Sequence, residues 1–150
     1  MAEPRTSFPD EAATEEREEL LATKLNIPQT RPDQLRRSRL IDRLNQGMAQ
    51  KLIMVCTPAG FGKTSLLADW AVSAEWPVAW LSLDPQDNDP VRFWRYVVGA
   101  LDRTCGGLAE HVLPLLTPSS VIGGEVVVTA LANQLQANQL QAAPETLALV

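Results

Sequence analysis

Apolar and polar positions recur with two periods along this chain, and each change of period marks an element. The first 19 residues hold few apolar side chains and predict a disordered or loosely helical tail. Leu20, Leu21, Leu25 and Ile27 come next, ahead of Pro28 and the Arg31-Pro32 pair. That spacing predicts an extended segment lying on a surface. Leu40, Ile41 and Leu44 fall on one face of a short helix over 38–46, with Ser38 as its cap and Gly47 at its end. Residues 51–56 are short, apolar and partly β-branched, the pattern of a buried strand. A helix to about Ala74 follows the next turn, and residues 77–83 read as a second strand. Asp84, Pro85, Asp87, Asn88 and Asp89 make a polar turn. Asp89 as N-cap and Pro90 at the first helical position then open another helix. Its apolar face carries Val91, Trp94, Val98 and Leu101, with Phe93 and Val97 beside it as core aromatics and aliphatics. Residues 102–122 predict an irregular connection, 124–141 a last helix, and 147–150 a strand. Alternating strands and helices imply an α/β fold with a parallel sheet and flanking helices.

The turn between the first strand and its helix carries the chemistry. It runs Thr57, Pro58, Ala59, Gly60, Phe61, Gly62, Lys63, Thr64, Ser65. A glycine-bearing turn after a strand, closing on Gly-Lys-Thr at a helix start, is a phosphate cradle. Gly60 and Gly62 let backbone N–H groups crowd around phosphate oxygens, and the helix N-terminus adds partial positive charge. Lys63 is expected to reach the β- and γ-phosphates and the Thr64 hydroxyl to hold Mg²⁺, while Ser65 adds a phosphate contact. Thr57 stands where the full pattern has its first glycine. Phe61 belongs to the cradle, and its ring is expected to pack on the domain. Between Lys24 and Lys51 seven bases face two acids. One arginine among Arg36, Arg37 and Arg39 is a candidate for the nucleotide, and Arg39 is the one that the family resemblance set out below implies, near the adenine.

Charge divides the chain unevenly. The net charge is −5, and residues 1–19 account for it with seven acids against two arginines. The neutral remainder argues against a dedicated DNA-binding surface. No apolar run reaches the roughly 18 residues of a membrane span, and the acidic start lacks the basic, apolar order of a signal peptide. A cytoplasmic protein with no membrane partner is expected. Cys56, in the first strand, and Cys105, in a later loop, suggest no disulfide framework. His111 has no ligand-spaced partner and is expected at the surface. The pentapeptide beginning at Asn133 is repeated at Asn138, two copies too short for a solenoid.

These residues, in order, resemble a known family. Leu20, Leu21, Lys24, Leu25, Arg31-Pro32, Arg39-Leu40 and Arg43-Leu44 lead into the Pro58-to-Thr64 loop. Trp80-Leu81-Ser82-Leu83-Asp84, Asp87-Asn88-Asp89-Pro90 and Arg92-Phe93-Trp94 follow. The run is similar to the N-terminal ATPase portion of the MalT-like, LuxR-family transcriptional activators, P-loop ATPases of the STAND class. The resemblance covers residues 20–150. It implies ATP and Mg²⁺ as ligands, self-association in the full-length protein, and DNA binding only through a C-terminal domain that this chain does not carry. The acidic Walker B pair is expected just after a strand such as 147–150, so no residue here is assigned to it. The P-loop strand's family neighbours also come after Walker B.

The expected organisation is therefore an acidic tail at 1–19, a pre-P-loop segment with a short helix at 20–47, and an incomplete P-loop NTPase domain at 48–150. Its expected function is an ATP-binding module of a signal-responsive activator, marginally stable alone, with weak or no hydrolysis. Two alternatives stand beside it. A small P-loop kinase would need lid arginines, for which Arg92, Arg95 and Arg103 are available after Lys63. A remnant without nucleotide activity would carry a relict loop.

Overall fold

The computed structural model describes residues 20–30, 35–117, 124–139 and 146–150, with side chains up to Ala137 in the last helix. The acidic tail, the Arg31-Pro32 pair and most of the second pentapeptide copy lie outside the described residues. Five α-helices are described: α1 (Ser38–Gly47), α2 (Lys63–Ser73), α3 (Pro90–Cys105), α4 (Ala109–Val112) and α5 (Glu125–Gln139). Short 3-10 helices cover Ala22–Leu25, Pro85–Asn88 and Leu113–Leu115. Two strands, β1 (Val78–Ala79) and β2 (Ala148–Leu149), pair in parallel, Val78 opposite Ala148 and Ala79 opposite Leu149.

Strand alternation sorts the side chains into two cores. Ala79 and Leu81 face a core built from Val98 and Leu101 of α3, Leu108 and Val112 around α4, and Val127 and Leu131 of α5. Val78, Trp80, Ala148 and Val150 face the other, with Ile41 and Leu44 of α1 and Leu66 and Trp70 of α2. The pair of strands is thus the middle layer between two helical layers, the α/β arrangement expected. The Trp70 Nε1–H donates to Asn45 Oδ1 at 2.7 Å and ties α2 to α1.

The expected caps are partly realised. Asp89 Oδ1 accepts the Arg92 N–H at 2.8 Å and Pro90 opens α3, as the sequence predicts. Ser38 does not cap α1. Arg37 occupies that position with no side-chain cap bond, so Ser38 is already helical. The connection after α3 is more regular than expected, because Asp102 Oδ1 accepts the Leu108 and Ala109 N–H groups at 2.7 and 2.9 Å and starts α4. Cys105 ends α3 rather than lying in a loop.

The largest departure is the first predicted strand. Residues 52–58 carry no strand pairing, and Leu52 and Met54 are 77% and 75% exposed. Cys56 is exposed with them. A cleft of about 510 Å³ separates this segment from residues 146–150 of the β2 run. A strand is stabilised by a neighbour's ladder, and none of the described residues supplies one to 52–58. Among the described residues no helix is long and apolar enough to cross a membrane.

Candidate functional site

The loop ahead of α2 turns on two glycines. Gly60 and Gly62 adopt φ of 84° and 74°, the left-handed region that other residues enter at a cost. Gly62 is the N-cap of α2, and its carbonyl accepts the Leu66 N–H at 2.9 Å. The N–H groups of Lys63 and Thr64 precede that bond and have no acceptor within the helix. Nothing lies within 4 Å of where a Cβ on Gly60 would stand, so the loop is open on that side.

Lys63 folds back over the loop. Its Nζ donates to the Thr57 and Pro58 carbonyls at 2.6 and 3.0 Å. The ammonium therefore sits at the mouth of the turn, on neutral acceptors that an anionic oxygen would replace with a stronger, charge-assisted bond. Thr64 is exposed at the first turn of α2 and Ser65 half-buried beside it. The Phe61 ring is 62% exposed and does not pack on the domain as expected. The backbone turn demanded by Gly60 and Gly62 carries it outward.

Arg37, not Arg39, meets the loop. Its Nη1 donates to the Phe61 carbonyl at 3.0 Å. Its Nη2 lies 3.2 Å from where a Cβ on Gly62 would stand, so that glycine also leaves room for the guanidinium. A cavity of about 410 Å³ opens here, lined by Arg37, Leu40 and Arg43 of the α1 region, by residues 53–57, and by Phe61, Gly62 and Lys63. Arg39 is exposed on α1 and does not line it. The cavity is within the size range of small-ligand sites and combines apolar walls with three cations. The arrangement suits an anionic ligand with an apolar part. Thr64 is the available hydroxyl for a divalent ion, and no cluster of three or more His, Cys, Asp or Glu exists among the described residues to bind one independently.

Sequence reasoning missed a second cluster. Lys24 is buried, its Nζ 2.6 and 2.8 Å from the Asp87 carboxylate oxygens and 2.8 Å from Asp84 Oδ2. Arg92 Nε donates to Asp87 Oδ1 at 3.2 Å. Burial opposes the Lys24 charge, but hydrogen bonds to Asp84 and Asp87 outweigh it and hold the ammonium pKa above its usual range. The Lys24 hydrogen bond, then the Gln86 N–H, lowers the Asp84 pKa. Burial alone would raise Asp87, yet bonds from Lys24, the Asp84 N–H and Arg92 bring it below the usual carboxylate range. The available signal was Lys24 as the one charge in an otherwise uncharged 20–30 run.

Burial, then Asp102, raises the Cys105 thiol pKa. His111 is exposed, as expected, with Nδ1 3.0 Å from the Gly107 carbonyl.

Comparison with known proteins gives one consistent similarity. The chain is 39% identical over 88 residues to the HTH-type transcriptional regulator MalT of Serratia proteamaculans. Identity is 38% to the MalT of Yersinia enterocolitica and 35% to that of Cronobacter sakazakii, each again over 88 residues. No protein-family profile matches the chain, and no solved structure does. Each match takes in 59% of this chain and 10% of the regulator, so the chain spans about a tenth of the length of the curated relatives it matches.

Proposed function

We propose that this chain is the nucleotide-binding part of a MalT-like transcriptional regulator, a P-loop NTPase module that takes ATP with Mg²⁺. The observation that carries the reading is the loop itself: two left-handed glycines, Gly60 and Gly62, turn the chain into α2 beneath the Lys63 ammonium. Lys63 would bind the β- and γ-phosphates, the Gly60-to-Lys63 backbone would cradle them, and Thr64 would hold the metal. Ser65 would add a phosphate contact. Bound Mg²⁺ would supply charge neutralisation at the phosphates. Arg37, which donates to the Phe61 carbonyl, takes the place of Arg39 as the pre-P-loop arginine of the site.

Among the described residues no acidic side chain lines the loop cavity to orient an attacking water, and binding with weak or no hydrolysis is proposed. Transcription control, DNA contact through another domain, self-association and a cytoplasmic setting belong to the proposed whole regulator. A kinase is disfavoured, because two of the arginines it would need are engaged elsewhere. Arg92 pairs with Asp87, and Arg103 Nη2 donates to Asn26 Oδ1 at 2.9 Å.

Equilibrium titration with a fluorescent ATP analogue tests the proposal. Saturable, Mg²⁺-strengthened binding that Lys63→Ala reduces at least about tenfold is expected for loss of a charge-assisted phosphate contact. Binding unaltered by Lys63→Ala, or no binding at all, would remove the site.

A further inference from the structure

The arm at residues 20–29 touches both cores. Leu25 packs against the α3–α5 core, and Ile27, two positions on, packs against the α1–α2 core. The cleft beneath the arm, about 730 Å³ and walled on the far side by Val78, Trp80, Ala100 and Arg103, leaves its apolar contact incomplete. Polar contacts add to the attachment. Lys24 reaches Asp84 and Asp87, and Arg92 reaches Asp87 from α3. Lys24 Nζ and the Arg92 guanidinium also stand 4.8 and 5.7 Å from the Tyr96 ring centroid. Two cations and two carboxylates balance, which is what allows Lys24 and Asp87 to be buried. The Ser82 N–H donates to the Lys24 carbonyl at 2.8 Å, and the Leu21 N–H to the Tyr96 hydroxyl at 3.3 Å.

We infer that Lys24 is a positioning residue: its ionic latch holds the arm as a strap across both cores and so holds α1, with Arg37, against the phosphate loop. The inference rests on the nucleotide reading above for the role of Arg37. The latch itself does not. Ile27 packs against the core to which Ile41 and Leu44 of α1 also contribute, so displacement of the arm opens the core on which α1 rests. The polar latch also makes the strap the region that opens separately from the helical cores.

Two adjacent amides report on the strap. Ser82 N–H bonds to the arm at the Lys24 carbonyl, whereas Leu81 N–H bonds to the Val150 carbonyl at 2.7 Å beside β2. In the full chain, Lys24→Met is expected to speed Ser82 exchange at least about tenfold with Leu81 and α3 unchanged. Mg-ATP affinity should fall about fivefold, the scale of a modest coupling between sites. Lys24→Arg should restore both. Gly99→Leu loosens the strap without touching a charge, because a Cβ at Gly99 would meet Leu20 Cδ1 at 2.7 Å and Leu25 Cδ1 at 3.6 Å. It should reproduce both effects, and it carries the test if Lys24→Met does not fold. Unchanged Ser82 exchange, or equal acceleration of Leu81, would refute the latch. Accelerated Ser82 exchange with unaltered Mg-ATP affinity would refute the positioning role. A parent chain that binds no Mg-ATP would sink the nucleotide reading and the positioning role together, while the Ser82–Leu81 difference would still decide the latch.

Discussion

Two glycines with the same backbone conformation carry different burdens. Gly60 has φ of 84° and open space where a Cβ would go, whereas Gly62 has φ of 74° and the Arg37 guanidinium there. Gly60→Ala should therefore cost only backbone strain, about 1–2 kcal/mol. Gly62→Ala should cost that amount and also push the Arg37 guanidinium aside by a few tenths of an ångström. Thermal unfolding of the two variants checks the order. The Lys24 latch predicts a pH dependence with a definite sign. Asp84 and Asp87 have folded pKa values below their unfolded ones, so their contribution is present above the unfolded value near 4 and lost as pH falls through the folded values. Lys24 is shifted upward, so its contribution is present below its unfolded pKa and lost as pH rises through the folded one. Stability should be flat through neutral pH and fall below about pH 4, with Asp87→Asn flattening the acid limb in denaturant titrations. The turn at Gly60 and Gly62 was legible in the sequence because its signal is local. Lys24 was not, since its partners Asp84 and Asp87 are some sixty positions away and only folding brings them together.

At the scale of elements, α3 was legible at its start because a cap is written in adjacent residues. Asp89→Ala should destabilise by about 0.5–2 kcal/mol, the usual worth of an N-cap, read as a lowered midpoint of chemical unfolding. Leu108, fully buried between α3 and α4, should cost about 2–5 kcal/mol on truncation to alanine. The strand expected at 51–56 was misjudged for the opposite reason. Apolar, β-branched composition marks a segment suited to a sheet, but strand formation needs a neighbour, and the 510 Å³ cleft lies where the neighbour on the β2 side would be. The α4 turn was missed because its starting acceptor, Asp102, belongs to the preceding helix. Hydrogen exchange should separate these elements: amides at 52–56 unprotected, those of Val97, Val98 and Leu101 the slowest.

The described residues form two helical layers on a two-stranded parallel sheet, with an arm at 20–29 touching both cores. The mixed α/β character and the parallel pairing were anticipated by the alternation of strand and helix patterns, whereas the arm's contact with both cores was not. The brevity of the sheet was not, because the pattern records the propensity of a segment and not the presence of its partner. The similarity to MalT regulators reaches a tenth of their length, so the account concerns a module and its ligand. Its central claim is that the Gly60–Gly62 turn receives a nucleotide's phosphates. Amide NMR of the chain titrated with Mg-ATP tests this most directly. The account predicts saturable shifts concentrated at Gly60, Phe61, Gly62, Lys63 and Thr64, with a smaller response at Arg37. An unchanged spectrum at those residues at millimolar Mg-ATP, or shifts confined to another surface, would contradict it.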